Sequence, residues 1–302
     1  MSDVLQFSAN GKLLLTGEYF ILDGAKGLAL PTQHGQSMAV TVRDQQDEMP
    51  QLEWMALDGQ GKEWFRAQYS LNDFVALNHD SEEATTLGEI LRQTRLLDPN
   101  FLSDKKQSFC VQAKLEFPRN WGLGSSSTLI SMVAQWADIC PFELLKNTLG
   151  GSGYDIACAQ SGCPLIYRRE GNEPSYNESN FNPVFQDHLY FVHLNQKQST
   201  KEAIQNYKKL ELDKKETIKK INQITQAIIT ISNLEEFENC LNEHEKIISK
   251  ALNLKTAKEK HFPDYWGAIK SLGAWGGDFV LVTSDRSQEE TKNYFSNLGY
   301  KT

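Results

Sequence analysis

The stretch from Pro118 to Thr128, which reads PRNWGLGSSST, constrains this chain more than any other. An apolar, strand-like run, Phe109 to Phe117, leads into it, and an apolar helical run, Leu129 to Ala137, leads out. Gly122 and Gly124 let the backbone turn tightly and approach a ligand with no Cβ in the way. Ser125, Ser126, Ser127 and Thr128 then open a helix, where hydroxyls cap free amides. Backbone N–H groups and the positive end of a helix dipole converge there, which suits a polyphosphate. An ordinary turn with a good N-cap has the same pattern, so the loop alone does not decide. It is not a Walker loop, because Ser125 stands where that motif needs Lys. Nor is it the G-x-G-x-x-G of a dinucleotide fold.

Two further glycine-rich segments add weight. Near the N-terminus stands Ala9–Tyr19, ANGKLLLTGEY, followed by Gly24 and by Gly27–Pro31. Lys12 opens its strand-like run and Glu18 closes it. Near the C-terminus Lys270–Asp278, KSLGAWGGD, runs into a buried strand pattern, Phe279 to Thr283.

Taken in order, the three segments resemble the three motifs of the GHMP kinase superfamily, and most of all its mevalonate kinase and phosphomevalonate kinase group. Gly11–Glu18 resembles motif one, Pro118–Ser127 motif two and Gly273–Gly277 motif three. Ser152–Ala157 looks like the family's Ser-Gly-x-Asp element. The resemblance spans roughly residues 6 to 298. It has departures. Asn10 stands where motif one often has Pro, and Tyr19 where mevalonate kinases often have His. Asn120 replaces a Gly of motif two, and Leu272–Trp275 replaces the usual Thr/Ser-Gly-Ala-Gly. Trp121 and Trp275 thus sit in nucleotide-side loops, where indoles either wall a base pocket or pack structurally.

Composition sets the outer limits. The 302 residues suffice for two modest domains, and 40% hydrophobic with 23% charged residues is ordinary for a globular protein. A net charge of −8 speaks against a nucleic-acid surface, so an anionic ligand must be held by local Lys or Arg side chains and amides. No apolar run is long enough to span a membrane, and no signal-peptide pattern opens the chain. Five cysteines (110, 140, 158, 163 and 240), odd in number and scattered, fit reduced thiols in the cytoplasm, and their spacing is not that of a zinc site.

Along the chain, strand-like runs alternate with glycine turns: Val4–Ser8, Leu13–Leu15, Leu28–Thr32, Met38–Val42 and Leu52–Met55. Leu87, Ile90, Leu91 and Leu96 recur at helical spacing over Thr85–Leu97. A helix follows Pro141 over Phe142–Thr148. Gly150–Gly153 forms a tight turn with Asp155 just inside the next helix. Arg169–Asp187 is polar with no apolar period and is assigned as the interdomain connection. After the strand Leu189–Leu194, two apolar stripes predict long helices. One is Ile218, Ile221, Ile224, Ile228 and Ile231; the other is Leu234, Phe237, Leu241, Ile248 and Leu252. The Lys pairs at 208–209, 214–215 and 219–220 read as a solvated face, and His244 as a packed core histidine. A last helix covers Gln288–Leu298, and a short native tail is expected beyond it.

The resemblance implies an α+β, two-domain GHMP kinase fold. Residues 1–170 would form the N-terminal ATP-binding domain, with a mixed sheet and a left-handed βαβ crossover. Residues 188–302 would form a C-terminal ferredoxin-like domain. It implies transfer of the γ-phosphoryl group of ATP to mevalonate or phosphomevalonate. A diphosphomevalonate decarboxylase, a homoserine or sugar kinase, and a non-catalytic nucleotide-binding homologue are the alternatives. Lys12 and Asp155 would be catalytic, the Lys beside the substrate oxygen and the Asp as base or orienter of the acceptor. Pro118, Trp121, Gly122, Leu123, Gly124, Ser125, Ser126 and Ser127 would hold the nucleotide. A hydroxyl of Ser125 or Ser126, with Glu143 as a candidate acid, would bind Mg²⁺. Glu18, Tyr19, Ser152, Gly153, Gly276 and Gly277 would lie on the substrate side. Glu18, six residues from Lys12 and on one face of an extended strand, would support Lys12 or touch the substrate. Lys197, Ser199, Thr200 and Lys201 resemble a segment that holds the anionic end of an isoprenoid substrate, although Ser199 with Glu202 also fits a capping box. The partner is then a small molecule, with no nucleic acid and no membrane, and the protein a monomer or homodimer.

Overall fold

The computed structural model describes residues 4–44, 51–104, 106–171, 173–196, 200–210, 213–273, 275 and 277–302. Its contacts gather into two units. One comprises the chain up to residue 12, 32–119 and 123–160, and the other comprises 13–31, 120–122 and 161 onward. The first strands, β1 (Val4–Leu14) and β2 (Gly27–Asp44), contribute to both.

The first unit continues with β3 (Gln51–Leu57), β4 (Glu63–Ser70), α1 (Glu82–Leu97), β5 (Gln107–Leu115), α2 (Ser125–Ala137), α3 (Pro141–Asn147) and α4 (Tyr154–Gln160). Its sheet runs β4-β3-β5-β2. The β3–β5 pair is parallel, with Trp54 opposite Val111, and the other two pairs are antiparallel, making the sheet mixed. Strict alternation sets its faces. Leu52, Trp54 and Ala56 of β3 and Phe109, Val111, Ala113 and Leu115 of β5 are buried, and the residues between them are not. The buried face meets Leu87, Ile90 and Leu91 of α1 and Ile130 and Val133 of α2 in one core. Ser81 starts α1 by accepting the Ala84 amide at 3.1 Å.

Three differences from the sequence reading have local causes. Val4–Ser8 and Leu13–Leu15 form a single strand, and so do Leu28–Thr32 and Met38–Val42. Gly11 and Gly35 mark close backbone approach instead of turns. A Cβ on Gly35 would lie 2.2 Å from the Ala9 carbonyl oxygen, and one on Gly11 2.4 Å from Thr32 Oγ1. β4 escaped notice although Phe65, Ala67 and Tyr69 alternate cleanly.

The second unit adds β6 (Leu165–Glu170) and β7 (Glu173–Glu178), an antiparallel pair in which β6 also pairs with Gly27–Ala29. This hairpin overturns the reading of 169–187 as a plain connection. β7 is largely exposed, so it carries no apolar signature. Next come β8 (Leu189–His193), α5 (Thr200–Lys208), α6 (Lys214–Ile228), α7 (Leu234–Leu252), α8 (Ala257–His261), β9 (Ile269–Ser271), β10 (Phe279–Thr283) and α9 (Gln288–Asn297). An antiparallel sheet runs β8-β10-β9. The two predicted stripes are the inner faces of α6 and α7, with Ile221, Ile224, Ile228, Phe237, Leu241 and Ile248 buried. Lys208, Lys209, Lys215, Lys219 and Lys220 are exposed as expected. Lys214 is half-buried: it pairs with Asp23 at 3.0 Å and lies 4.6 Å from the Tyr207 ring centroid. No described helix is long and apolar enough to cross a membrane.

Leu91 is fully buried in the first core. Leu91→Ala is expected to cost about 2–5 kcal/mol, read as a lowered urea midpoint with an unchanged slope.

Candidate functional site

The glycine-and-serine loop acquires its shape from Lys12. At the end of its run in the first unit, β1 gives the Lys12 amide to the Leu123 carbonyl at 3.0 Å. Gly124, at φ 91°, is the N-cap residue of α2, and no side chain caps the helix. The stem of Lys12 crosses Gly124 so closely that a Cβ there would lie 3.0 Å from Lys12 Cγ and 3.4 Å from Cε. Only glycine accepts both that backbone angle and that neighbour. The first-turn amides of α2, which have no partner inside a helix, thus open beside a lysine.

Asp155 reaches the same place from α4. Gly153, at φ 87°, turns the chain in, and Asp155 occupies the first helical turn. Its Oδ2 accepts the Ser127 hydroxyl at 2.6 Å, and its Oδ1 accepts the Ile156 amide at 3.1 Å. Lys12 Nζ lies 5.7 Å from the ring centroid of Tyr154. Burial pushes the Tyr154 phenol up to about 12; the charge of Lys12 pulls it down and that of Asp155 pushes it up. Burial also raises the Cys158 thiol, with the same two charges acting on it in opposite senses. Asp155 thus directly follows in sequence the ring that Lys12 Nζ approaches. The hydrogen bond from Ser127 was not foreseen.

Ser125 is half-buried and Ser126 exposed, whereas Ser127 is buried. Glu143 is exposed in the first turn of α3. No cluster of three or more His, Cys, Asp or Glu side chains suited to a metal occurs among the described residues. Ser125 and Ser126, in the first turn of α2, are the loop hydroxyls that could meet a metal ion. Pro118 is exposed and Ser152 half-buried.

In the second unit, Trp121 packs edge-on against Phe279 at 5.3 Å and beside His193 at 5.9 Å. A Cβ on Gly122 would lie 2.2 Å from Asp278 Oδ2. Trp275 is buried among Phe20, Tyr207 and Ile221, and its amide donates to the Tyr19 hydroxyl at 3.1 Å. Tyr19 stacks on Tyr207 at 5.4 Å. Gly277 is a buried bend. Lys197, Ser199 and Gly276 lie outside the described residues, as do the side chains of Thr200 and Lys201.

Glu18 differs from expectation in its partner. β1 ends at Leu14 and the chain turns through Gly17 (φ 90°) and Tyr19 (φ 59°), so strand alternation does not carry from Lys12 to Glu18. Fully buried, Glu18 forms an ion pair with Lys270, which also pairs with Glu245 at 3.3 Å. Glu245 in turn accepts the Ser271 amide at 3.1 Å and hydroxyl at 3.2 Å. His244 is a core histidine as expected, yet its Nε2 accepts the Gly17 amide at 3.1 Å and lies 3.4 Å from Glu18. The only sequence signal for this cluster was Glu245 beside His244 on an otherwise apolar stripe.

Solved structures place the architecture. No family model matches the chain, and no curated protein sequence matches it. The Methanococcus jannaschii mevalonate kinase is 17% identical with a TM-score of 0.69, over 100% of this chain and 96% of that one. The Streptococcus pneumoniae phosphomevalonate kinase in complex with phosphomevalonate and AMPPNP is 17% identical with a TM-score of 0.68, over 98% of each chain. The Lactococcus lactis galactokinase complexed with galactose is 13% identical with a TM-score of 0.65, over 98% of this chain and 89% of that one.

Two predictions test these contacts. Gly124→Ala is expected to cost about 1–3 kcal/mol from the positive φ alone, and more as Lys12 is displaced; a denaturant midpoint reads it. The second concerns Glu18, whose carboxyl is pushed by burial from 4.5 up to about 7 against the opposing pull of Lys270. An acid raised in the fold holds its proton more tightly folded than unfolded. Its contribution is full below about 4.5 and is lost as pH rises through about 7. His244, Lys270 and Glu245 remain in Glu18→Gln. The melting-temperature advantage of the wild type over that variant is therefore expected to be larger at pH 5 than at pH 8. Equal advantages would show that Glu18 does not titrate in that window.

At 13–17% identity over nearly the whole chain, these likenesses establish the architecture: the chain has the GHMP kinase fold.

Proposed function

We propose that this protein is an ATP-dependent kinase of the GHMP type, transferring a γ-phosphoryl group to mevalonate or phosphomevalonate. The observation that carries the reading is the meeting of the Lys12 stem with Gly124 at the N-terminus of α2, with Lys12 Nζ 5.7 Å from the ring of Tyr154 and the neighbouring Asp155 bonded to Ser127 of the same helix. Amides and the dipole of α2 bind phosphate oxygens. The Lys12 ammonium offsets the negative charge that gathers as the phosphoryl group moves. Asp155 accepts the proton of an alcohol acceptor or, for an acceptor that is already an ionised phosphate, holds it in line. The Ser125 or Ser126 hydroxyl would help hold a Mg²⁺ ion, which would supply positive charge against the triphosphate. The chain's likeness to mevalonate and phosphomevalonate kinases, together with the Gly-Ser-Gly-Tyr-Asp run at 151–155, supports this acceptor class, with a lean toward phosphomevalonate.

The test is an acceptor panel read by ADP and CO₂ release: mevalonate, its phosphates, homoserine and galactose, each with Mg·ATP. ADP without CO₂ from mevalonate or phosphomevalonate is expected. CO₂ from diphosphomevalonate would move the assignment to a decarboxylase, ADP from homoserine or galactose to another kinase of this fold, and nucleotide binding without ADP to a non-catalytic homologue. With the active acceptor, Lys12→Met is expected to lower kcat by about 10²–10³, the usual loss when one donor to developing charge is removed. Asp155→Asn should abolish turnover of an alcohol acceptor, and near-normal activity there would contradict its role as base.

A further inference from the structure

We infer that the Ser127 side chain is a positioning group for Asp155 and does not itself grip phosphate. The inference rests on the kinase reading above. Ser127 belongs by sequence to the phosphate loop, with Ser125 and Ser126, and is the third residue of α2. Its side chain tells it apart. It is 5% exposed, and its hydroxyl points to Asp155 Oδ2 at 2.6 Å, the separation of a charge-assisted O–H···O⁻ bond. A hydroxyl carries one proton. With that proton donated to Asp155, Ser127 presents only lone pairs, which repel a phosphate oxygen. Ser125 and Ser126 are less enclosed than Ser127.

What the bond does follows from the two helices. Ser127 stands on α2, whose N-terminus forms the mouth of the loop, and Asp155 on α4, and the two helices pack together. An aspartate alone on α4 can rotate about two side-chain bonds. Here one carboxylate oxygen is fixed from α2 by Ser127 and the other from α4 by the Ile156 amide. The phosphate-binding helix thus sets the angle of the group that meets the acceptor. A displacement of about 1 Å at such a group can cost about 10²-fold in rate.

Steady-state kinetics on the full chain with its active acceptor test this. Ser127→Ala is expected to lower kcat about 10- to 100-fold while KM for ATP stays within about twofold, and Ser127→Thr, which restores the hydroxyl, to recover most of the loss. A residue that holds phosphate or Mg²⁺ would instead raise KM for ATP or the Mg²⁺ requirement with kcat little changed; that result overturns the inference, as does wild-type kcat in Ser127→Ala. Should Ser127→Ala not fold, Ser127→Cys, similar in size with a weaker donor, carries the same comparison. A wild-type protein that releases no ADP with any acceptor overturns the kinase reading and this role with it. An active wild type with an indifferent Ser127→Ala overturns Ser127 alone.

Discussion

A lysine ammonium with no exposure to water is the most demanding feature of the second unit. Lys270 is completely buried, and removing an ion from water costs several kcal/mol unless charges and hydrogen bonds replace the solvent. Glu18 and Glu245 supply the charges, and the Ser271 amide and hydroxyl complete the shell of Glu245. Those partners come from three distant stretches: the turn after β1, helix α7 and strand β9. None of them can move without leaving a buried charge uncompensated, so the cluster fixes where the first glycine segment ends and where the third begins. Burial raises Glu18 despite its ion pair with Lys270, and the charge of the nearby Glu245 acts in the same direction. His244 adds no charge, because burial and Lys270 both oppose its protonation.

The first unit depends on a steric condition instead. Lys12 and Gly124 come from opposite ends of a long sequence interval, and the Lys12 stem fills the space that any larger residue at position 124 would need. One glycine therefore serves two purposes: it takes the left-handed turn that starts α2, and it lets a cation lie at the mouth of that helix. The same short segment, Gly11–Glu18, sends Lys12 to this site and Glu18 to the ion cluster, because the strand ends between them at Leu14.

How much of this was legible in the sequence follows from the range of the forces involved. The loop, the helix it opens and the place of Asp155 in a first turn are local matters, set by glycine, hydroxyl and apolar spacing, and they were readable. So were the inner faces of α6 and α7. The bond between Ser127 and Asp155 spans 28 residues and the one between Lys270 and Glu18 spans 252, and no pattern within a window encodes such pairings. The hairpin strand β7 was hidden for a different reason. It exposes most of its residues, so it lacks the alternation by which strands are recognised. Gly11 and Gly35 misled because a glycine in a strand and a glycine in a turn look alike in sequence, and only the neighbours, Thr32 and Ala9, tell them apart.

The surroundings of Asp155 also bear on which acceptor the site can serve. A carboxylate that is to remove a proton from an alcohol needs a lone pair directed at that proton. Here each oxygen already accepts one hydrogen bond, from Ser127 and from the Ile156 amide. A carboxylate oxygen has room for a second, so an alcohol can still be met, but along a direction that these two bonds dictate. An acceptor that arrives ionised asks less of Asp155 and more of Lys12, whose charge must then offset two anions at once. The chain carries a net charge of −8, so that attraction must come from local groups. On the proposed reading, the Lys12 ammonium and the α2 amides would supply it at short range.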